Sequence, residues 1–117
     1  MQVQVNTDHN IEGHEALVKH VTSVVEHAMR RSNGHTTRVE VHLSDDHSGK
    51  GSHHDMGCVM EARLEGMKPL VVAHHAETVH QAVDGAASKL TAKVDHTLGR
   101  LKDQRRNLTD PPLPGTA

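Results

Sequence analysis

The stretch TRVEVHLS, residues 37–44, decides the fold of this chain. Its apolar residues, Val39, Val41 and Leu43, alternate strictly with polar ones. A period of two is typical of a β-strand that buries one of its faces. The chain therefore contains a sheet that is apolar on one side, and other elements must cover that side.

Three further strands are predicted around this one. Residues 58–65 alternate in the same sense, residues 2–6 form a short strand, and residues 70–74 form a fourth strand with a less regular pattern. Residues 45–55 contain no apolar residue, which predicts a mobile hairpin connection. Residues 66–69, Gly-Met-Lys-Pro, predict the turn before the fourth strand.

Two amphipathic helices are also predicted. Between residues 13 and 31 the apolar residues recur every three to four positions, and Asn33 or Gly34 can take the left-handed conformation that ends a helix. The second helix starts after Thr78, which forms a capping box with Gln81. One apolar face then continues for about seven turns of 3.6 residues.

The predicted order β-α-β-β-β-α indicates an α+β fold. Both helices must cover the one apolar face of a four-stranded sheet, which gives a two-layer sandwich close to the double-stranded-RNA-binding arrangement. The first and second strands are parallel, either as neighbours or separated by one strand. We expect one domain over residues 1–106 and a disordered Pro-rich tail over residues 107–117.

The composition excludes several classes of protein. The 117 residues include no Phe, Tyr or Trp, so the base-stacking platforms of RRM or cold-shock domains are absent. Nucleic acid could be bound only through phosphates and shape. The longest apolar run, residues 70–73, is too short for a membrane span, and the amino terminus has no signal-peptide pattern, so we expect a cytoplasmic protein. One cysteine, Cys58, allows no internal disulfide and no zinc ribbon.

Catalytic motifs are missing as well. There is no nucleophile elbow and no HExxH motif, and residues 49–52, Gly-Lys-Gly-Ser, are only a fragment of a phosphate-binding loop. We therefore expect no enzymatic activity, no cofactor and no small-molecule substrate.

Two segments resemble a known family. They are Met1–Val5 leading through His9–Glu12 to Glu15–Leu17, and Ala82–Leu90 with its Ala-Val-Asp step followed by Lys-Leu. Together with the order of elements they are similar to the ribosome hibernation-promoting factors and ribosome-associated inhibitors of bacteria. The resemblance implies a short-form translation inhibitor of stationary-phase or stressed cells. Its partner would be the 30S ribosomal subunit, bound through 16S rRNA near the decoding channel.

Positive charge is concentrated in the second helix. Residues 1–76 carry a net charge of −3, from seven Lys or Arg and ten Asp or Glu, whereas residues 88–106 carry +4, from six Lys or Arg and two Asp. Such a run is either a solvated helix face or a phosphate-binding surface. The resemblance implies the second, with rRNA bound by one basic face of the last helix and by three cations of the first. The implied residues are Lys89, Lys93, Arg100, Lys102, Arg105, Arg106, Lys19, Arg30 and Arg31.

The 13 histidines allow a competing hypothesis. Imidazole and carboxylate are common metal ligands, and four such residues share one loop: His47, His53, His54 and Asp55, with Cys58 just beyond. Their spacing is not a known metal signature, so no firm site is predicted. A second cluster could join His74, His75 and His80 to His20 or His27, although polar surface is the simpler interpretation. On this hypothesis the chain is a metal-binding or pH-responsive stress protein with weak or no ribosome binding.

Overall fold

The computed structural model describes residues 1–8, 11, 14–32, 34–45 and 56–109, with the backbone alone for His14 and for residues 104–109. The order of elements is the predicted one, β-α-β-β-β-α. A short 3-10 turn at Arg30–Ser32 follows the first helix. The elements are β1 (Gln2–Thr7), α1 (His14–Ala28), β2 (Thr36–Asp45), β3 (Met56–Leu64), β4 (Leu70–Ala76) and α2 (Val79–Thr109).

The four strands form one mixed sheet in the order β1-β2-β3-β4. β1 pairs in parallel with β2, so of the two arrangements left open by the sequence the neighbouring one is correct. The other two pairings are antiparallel. The register places Val41 beside Met60, and Met60 beside Val72, so a continuous apolar row crosses three strands.

The core lies between the sheet and the two helices, as the one-sided alternation predicts. α1 contacts β1 and α2, and α2 contacts β3 and β4, so both helices lie on the same face. This two-layer α+β arrangement confirms the predicted fold class. Fully buried side chains come from strands and helices alike and include Val21, Val25, Val39, Val41, Cys58, Met60, Val83, Leu90 and Val94.

The end of α1 differs from the prediction. Gly34 does not take a left-handed conformation, because among the described residues only Gly66 has a positive φ, of 74°. The helix ends instead in the 3-10 turn, where the Ser32 N–H donates to the Met29 carbonyl oxygen at 3.0 Å. The tighter turn supplies hydrogen-bond donors to carbonyl oxygens at the end of the helix. In a glycine cap, the N–H groups after the helix would supply them. Asn33, the other predicted cap, lies outside the described residues.

α2 begins as predicted and ends later. The Gln81 N–H donates to the Thr78 hydroxyl at 3.1 Å, which is one half of the capping box. The helix continues to Thr109, three residues past the predicted boundary at 106. The predicted tail from 110 onward lies outside the described residues. In the described part of the chain no helix has both the length and the apolar character to cross a membrane.

Candidate nucleic-acid interface

The cations of α2 lie on two flanks of the helix. A helix rotates by about 100° per residue, so positions 89, 93 and 100 share one side while position 102 lies on the other. Lys89 and Lys93 contact β4, whereas the Thr91 hydroxyl oxygen lies 3.3 Å from the Ala28 carbonyl oxygen of α1. We call these sides the β4 flank and the α1 flank. The core packs against the arc between the two flanks, and the predicted basic face of α2 stays a prediction.

On the β4 flank, two lysines bind the backbone of the adjacent strand. Lys89 Nζ donates to the Ala73 carbonyl oxygen at 2.9 Å, and Lys93 Nζ donates to the Val71 carbonyl oxygen at 3.0 Å. Four helical residues rise about 6 Å and two strand residues about 6.7 Å, so the two spacings match. Arg100 follows on the same flank, beside Met67 of the β3–β4 turn.

On the α1 flank, the two helices border a groove of about 520 Å³. Its α1 side carries His27, Arg30 and Arg31, and its α2 side carries Asp84 and Asp95. Among the described residues no ion pair links the two sides. The groove therefore presents guanidinium donors opposite carboxylate acceptors, with both available to a ligand.

The remaining predicted cations are more scattered. Lys19 is exposed on α1, and Lys102 lies near His35 and Glu65, at the end of the sheet where α2 extends past it. Arg105 and Arg106 belong to the helical backbone of α2, but their side chains lie outside the described part. Their roles in binding rRNA, like those of the other predicted residues, stay predictions.

The histidine clusters are placed only in part. His47, His53, His54 and Asp55 lie outside the described residues. Cys58 faces the core, fully buried, and burial raises the pKa of its thiol to about 12, so it is a poor metal ligand. Within the described ranges no three His, Cys, Asp or Glu side chains form a group that could hold a metal ion.

The second predicted cluster separates into two contacts. The rings of His20 in α1 and His80 in α2 lie in contact, with centroids 4.3 Å apart and planes tilted by 49°. His74 instead lies under α2 at Gly85, where a Cβ atom would come within 2.1 Å of its Cδ2 atom. Both contacts contribute to the packing of α2 against its neighbours.

Sequence reasoning missed the acidic side of the groove. Asp84 and Asp95 stand 11 positions apart, three helical turns, so their shared flank was visible in the spacing. Sequence reasoning also missed the ion pairs on the open face of the sheet, the face that the helices do not cover. Arg38 Nη2 lies 2.6 Å from Glu40 Oε1, and Arg63 Nε lies 3.1 Å from Glu61 Oε1.

The sequence matches the family model described as Sigma 54 modulation protein / S30EA ribosomal protein over residues 4–102. The fold is similar to the crystal structure of the Thermus thermophilus Protein Y N-terminal domain, with a TM-score of 0.66 and 19% identity over 83% of this chain and 99% of that one. It is also similar to a ribosomal subunit interface protein from Coxiella burnetii, with a TM-score of 0.62 and 12% identity over 85% of this chain and 99% of that one. No curated protein matches the sequence. At these identities the two structures show the fold alone.

Proposed function

Because the chain belongs to the Sigma 54 modulation protein / S30EA ribosomal protein family, we propose that it is a ribosome-associated hibernation factor. On this proposal it binds 16S rRNA of the 30S subunit near the decoding channel, in the cytoplasm of stressed or stationary-phase cells, and blocks translation. The family match over residues 4–102 is the observation that carries the proposal.

The charge distribution supports phosphate binding by α2. Its residues 88–106 have a net charge of +4 in a chain whose formal net charge is −2. An ammonium group has three N–H donors, so a lysine that gives one to β4 has two left for phosphate oxygens. Lys89 and Lys93 are exposed and meet this condition. The absence of aromatic residues is compatible with this mode, since phosphate contacts need no base stacking.

The groove on the α1 flank adds a second kind of contact. Arg30 and Arg31 present planar guanidinium groups, which bind phosphate through paired hydrogen bonds. Asp84 and Asp95 can accept hydrogen bonds from 2′-hydroxyl or exocyclic amino groups. This combination favours RNA over a simple polyanion.

Co-sedimentation with 30S subunits in sucrose gradients tests the proposal. The unaltered chain is expected in the 30S fractions at low salt. Two charge-reversed variants are expected in the light fractions: Lys89→Glu/Lys93→Glu/Arg100→Glu on the β4 flank and Arg30→Glu/Arg31→Glu on the α1 flank. The control Arg38→Gln/Arg63→Gln alters the open face of the sheet and is expected to co-sediment like the unaltered chain.

Absence of the unaltered chain from the 30S fractions would refute the proposal. Equal loss of binding by the control variant would also count against it, since the two helices would then have no special part in binding. Chemical probing of 16S rRNA in the same fractions locates the bound region, and protection away from the decoding channel would contradict the proposed position.

A further inference from the structure

The outward edge of β4 is covered by the two lysines of the β4 flank. β4 is an outer strand of the sheet, and its residues 70–76, Leu-Val-Val-Ala-His-His-Ala, contain no proline and no Lys, Arg, Asp or Glu. Outer strands of this kind are templates for pairing with another chain, and proteins often protect them with lysine. Here the protecting groups come from the neighbouring helix, through Lys89 and Lys93.

The register shows which backbone groups form this edge. In an antiparallel strand the N–H and the C=O of one residue point to the same side. Lys89 and Lys93 reach the carbonyl oxygens of Ala73 and Val71 from α2, outside the pairing with β3, so we infer that these two residues direct both of their backbone groups outward. Two outward residues at a spacing of two can form four hydrogen bonds with an identical strand, in an antiparallel pairing centred on Val72.

We propose that the outward edge of β4 is a pairing surface for a second copy of this chain, and that Lys89 and Lys93 keep it closed. A strand paired with itself about a two-fold axis has to be self-complementary. With Val72 at the centre, Val71 of one copy lies opposite Ala73 of the other. The strand has no Lys, Arg, Asp or Glu, so the pairing brings no two like charges of the strand together. Val71 and Val59, which are 46% and 36% exposed on the open face of the sheet, would continue the apolar contact.

Lys89 and Lys93 oppose this pairing in two ways. Each occupies a carbonyl oxygen that an N–H of the second strand would need. A two-fold pairing would also bring four ammonium groups, two from each copy, to one seam, and like charges at close range repel. Removal of both charges therefore opens the edge.

The oligomeric state of the purified chain, measured by sedimentation velocity in the absence of ribosomes, tests this inference independently of the proposed function. Lys89→Met/Lys93→Met removes both charges and keeps side-chain length and helix propensity. We expect this variant to dimerise with a dissociation constant at least about tenfold below that of the wild type. The control Lys19→Met/Lys102→Met removes two exposed charges elsewhere and is expected to match the wild type.

Ala73→Pro, added to the double variant, identifies the surface. It removes one outward N–H, and proline is tolerated at such positions of an outer strand. The dimer is expected to disappear. A double variant that stays as monomeric as the wild type overturns the inference, and so does a dimer that Ala73→Pro leaves intact. If the double variant lacks a native circular dichroism spectrum, the single variants Lys89→Met and Lys93→Met are measured in its place. Each is expected to dimerise more tightly than the wild type. Single variants with the same sedimenting mass as the wild type would overturn the inference.

Discussion

Gly85 and His74 meet where α2 crosses β4, and the His74 ring leaves no room for a side chain at position 85. A Cβ atom at position 85 would lie 2.1 Å from His74 Cδ2 and 2.6 Å from His74 Cγ, so the whole imidazole would have to move. In most helices Gly→Ala is stabilising by up to about 1 kcal/mol. Here we expect Gly85→Ala to lower the free energy of unfolding by about 1–3 kcal/mol, because three atoms of the His74 ring lie within 2.6 Å of the added Cβ and the ring or the helix has to shift. Urea denaturation measures the change.

Two comparisons separate this clash from helix propensity. Gly99 is exposed in the same helix and would have no atom within 4 Å of a Cβ, so Gly99→Ala is expected to raise stability by about 0.5–1 kcal/mol. In a His74→Ala background the effect of Gly85→Ala is expected to change sign and become stabilising. A Gly85→Ala effect that is the same with and without His74 would contradict the contact.

Cys58 gives the chain a pH dependence at the alkaline end. Burial raises the pKa of its thiol from 9.0 to about 12. Between these two values the unfolded chain loses the thiol proton and the folded chain keeps it, so the stability contribution is complete below pH 9 and is lost as the pH rises toward 12. Urea denaturation from pH 8 to 11 should show the wild type losing more stability than Cys58→Ala. The difference in the free energy of unfolding between the two proteins therefore narrows as the pH rises. If this difference stays constant with pH, the pKa of the thiol is not raised by folding, and the thiol is in contact with solvent.

At the scale of elements, Thr78 fixes the start of α2. Its hydroxyl accepts the Gln81 N–H at 3.1 Å, one of the four amides that a helix start leaves without a backbone partner. Thr78→Ala is expected to cost about 1 kcal/mol in urea denaturation, and Thr78→Ser to cost much less. Thr97→Ala is the matched control. The Thr97 hydroxyl only donates to the Lys93 carbonyl oxygen within the helix, so its loss is expected to be neutral or slightly stabilising. Equal losses for Thr78→Ala and Thr97→Ala would argue against the cap.

The elements were largely predictable from the sequence, and the reason is the alternation in residues 37–44. One apolar face on β2 requires helices on one side only, and the structure has both there. The distribution of cations around α2 was not predicted, because a helix that packs against both a sheet and a second helix has two flanks. Which flank Lys89 occupies depends on where β4 lies, and that position is set by the sheet order. The exact end of α1 was also not predicted. A 3-10 turn and a glycine cap can both satisfy the carbonyl oxygens at a helix end, so the sequence does not distinguish them.

At the scale of the whole molecule, the cations divide into free and paired sets. On the open face of the sheet, Arg38 and Arg63 are each within ion-pair distance of a glutamate. On the helical side, Lys89 and Lys93 donate only to neutral backbone carbonyls in the described structure, so their charges are uncompensated. A polyanion is therefore attracted to the helical side, although the chain as a whole carries a formal net charge of −2.

This division predicts how binding to the 30S subunit depends on salt. If the six cations of residues 88–106 each neutralise one phosphate, a plot of log affinity against log salt concentration has a slope of about −4 to −5. Replacing Lys89 or Lys93 by glutamine should make the slope less steep by about 1 each, because one released counterion is lost. Arg63→Gln should leave the slope unchanged, since that guanidinium already faces Glu61. Fluorescence anisotropy of the labelled chain, titrated with 30S subunits at several salt concentrations, gives all four slopes. Equal slopes for the wild type and the lysine variants would mean that Lys89 and Lys93 protect the edge of β4 and do not contact phosphate.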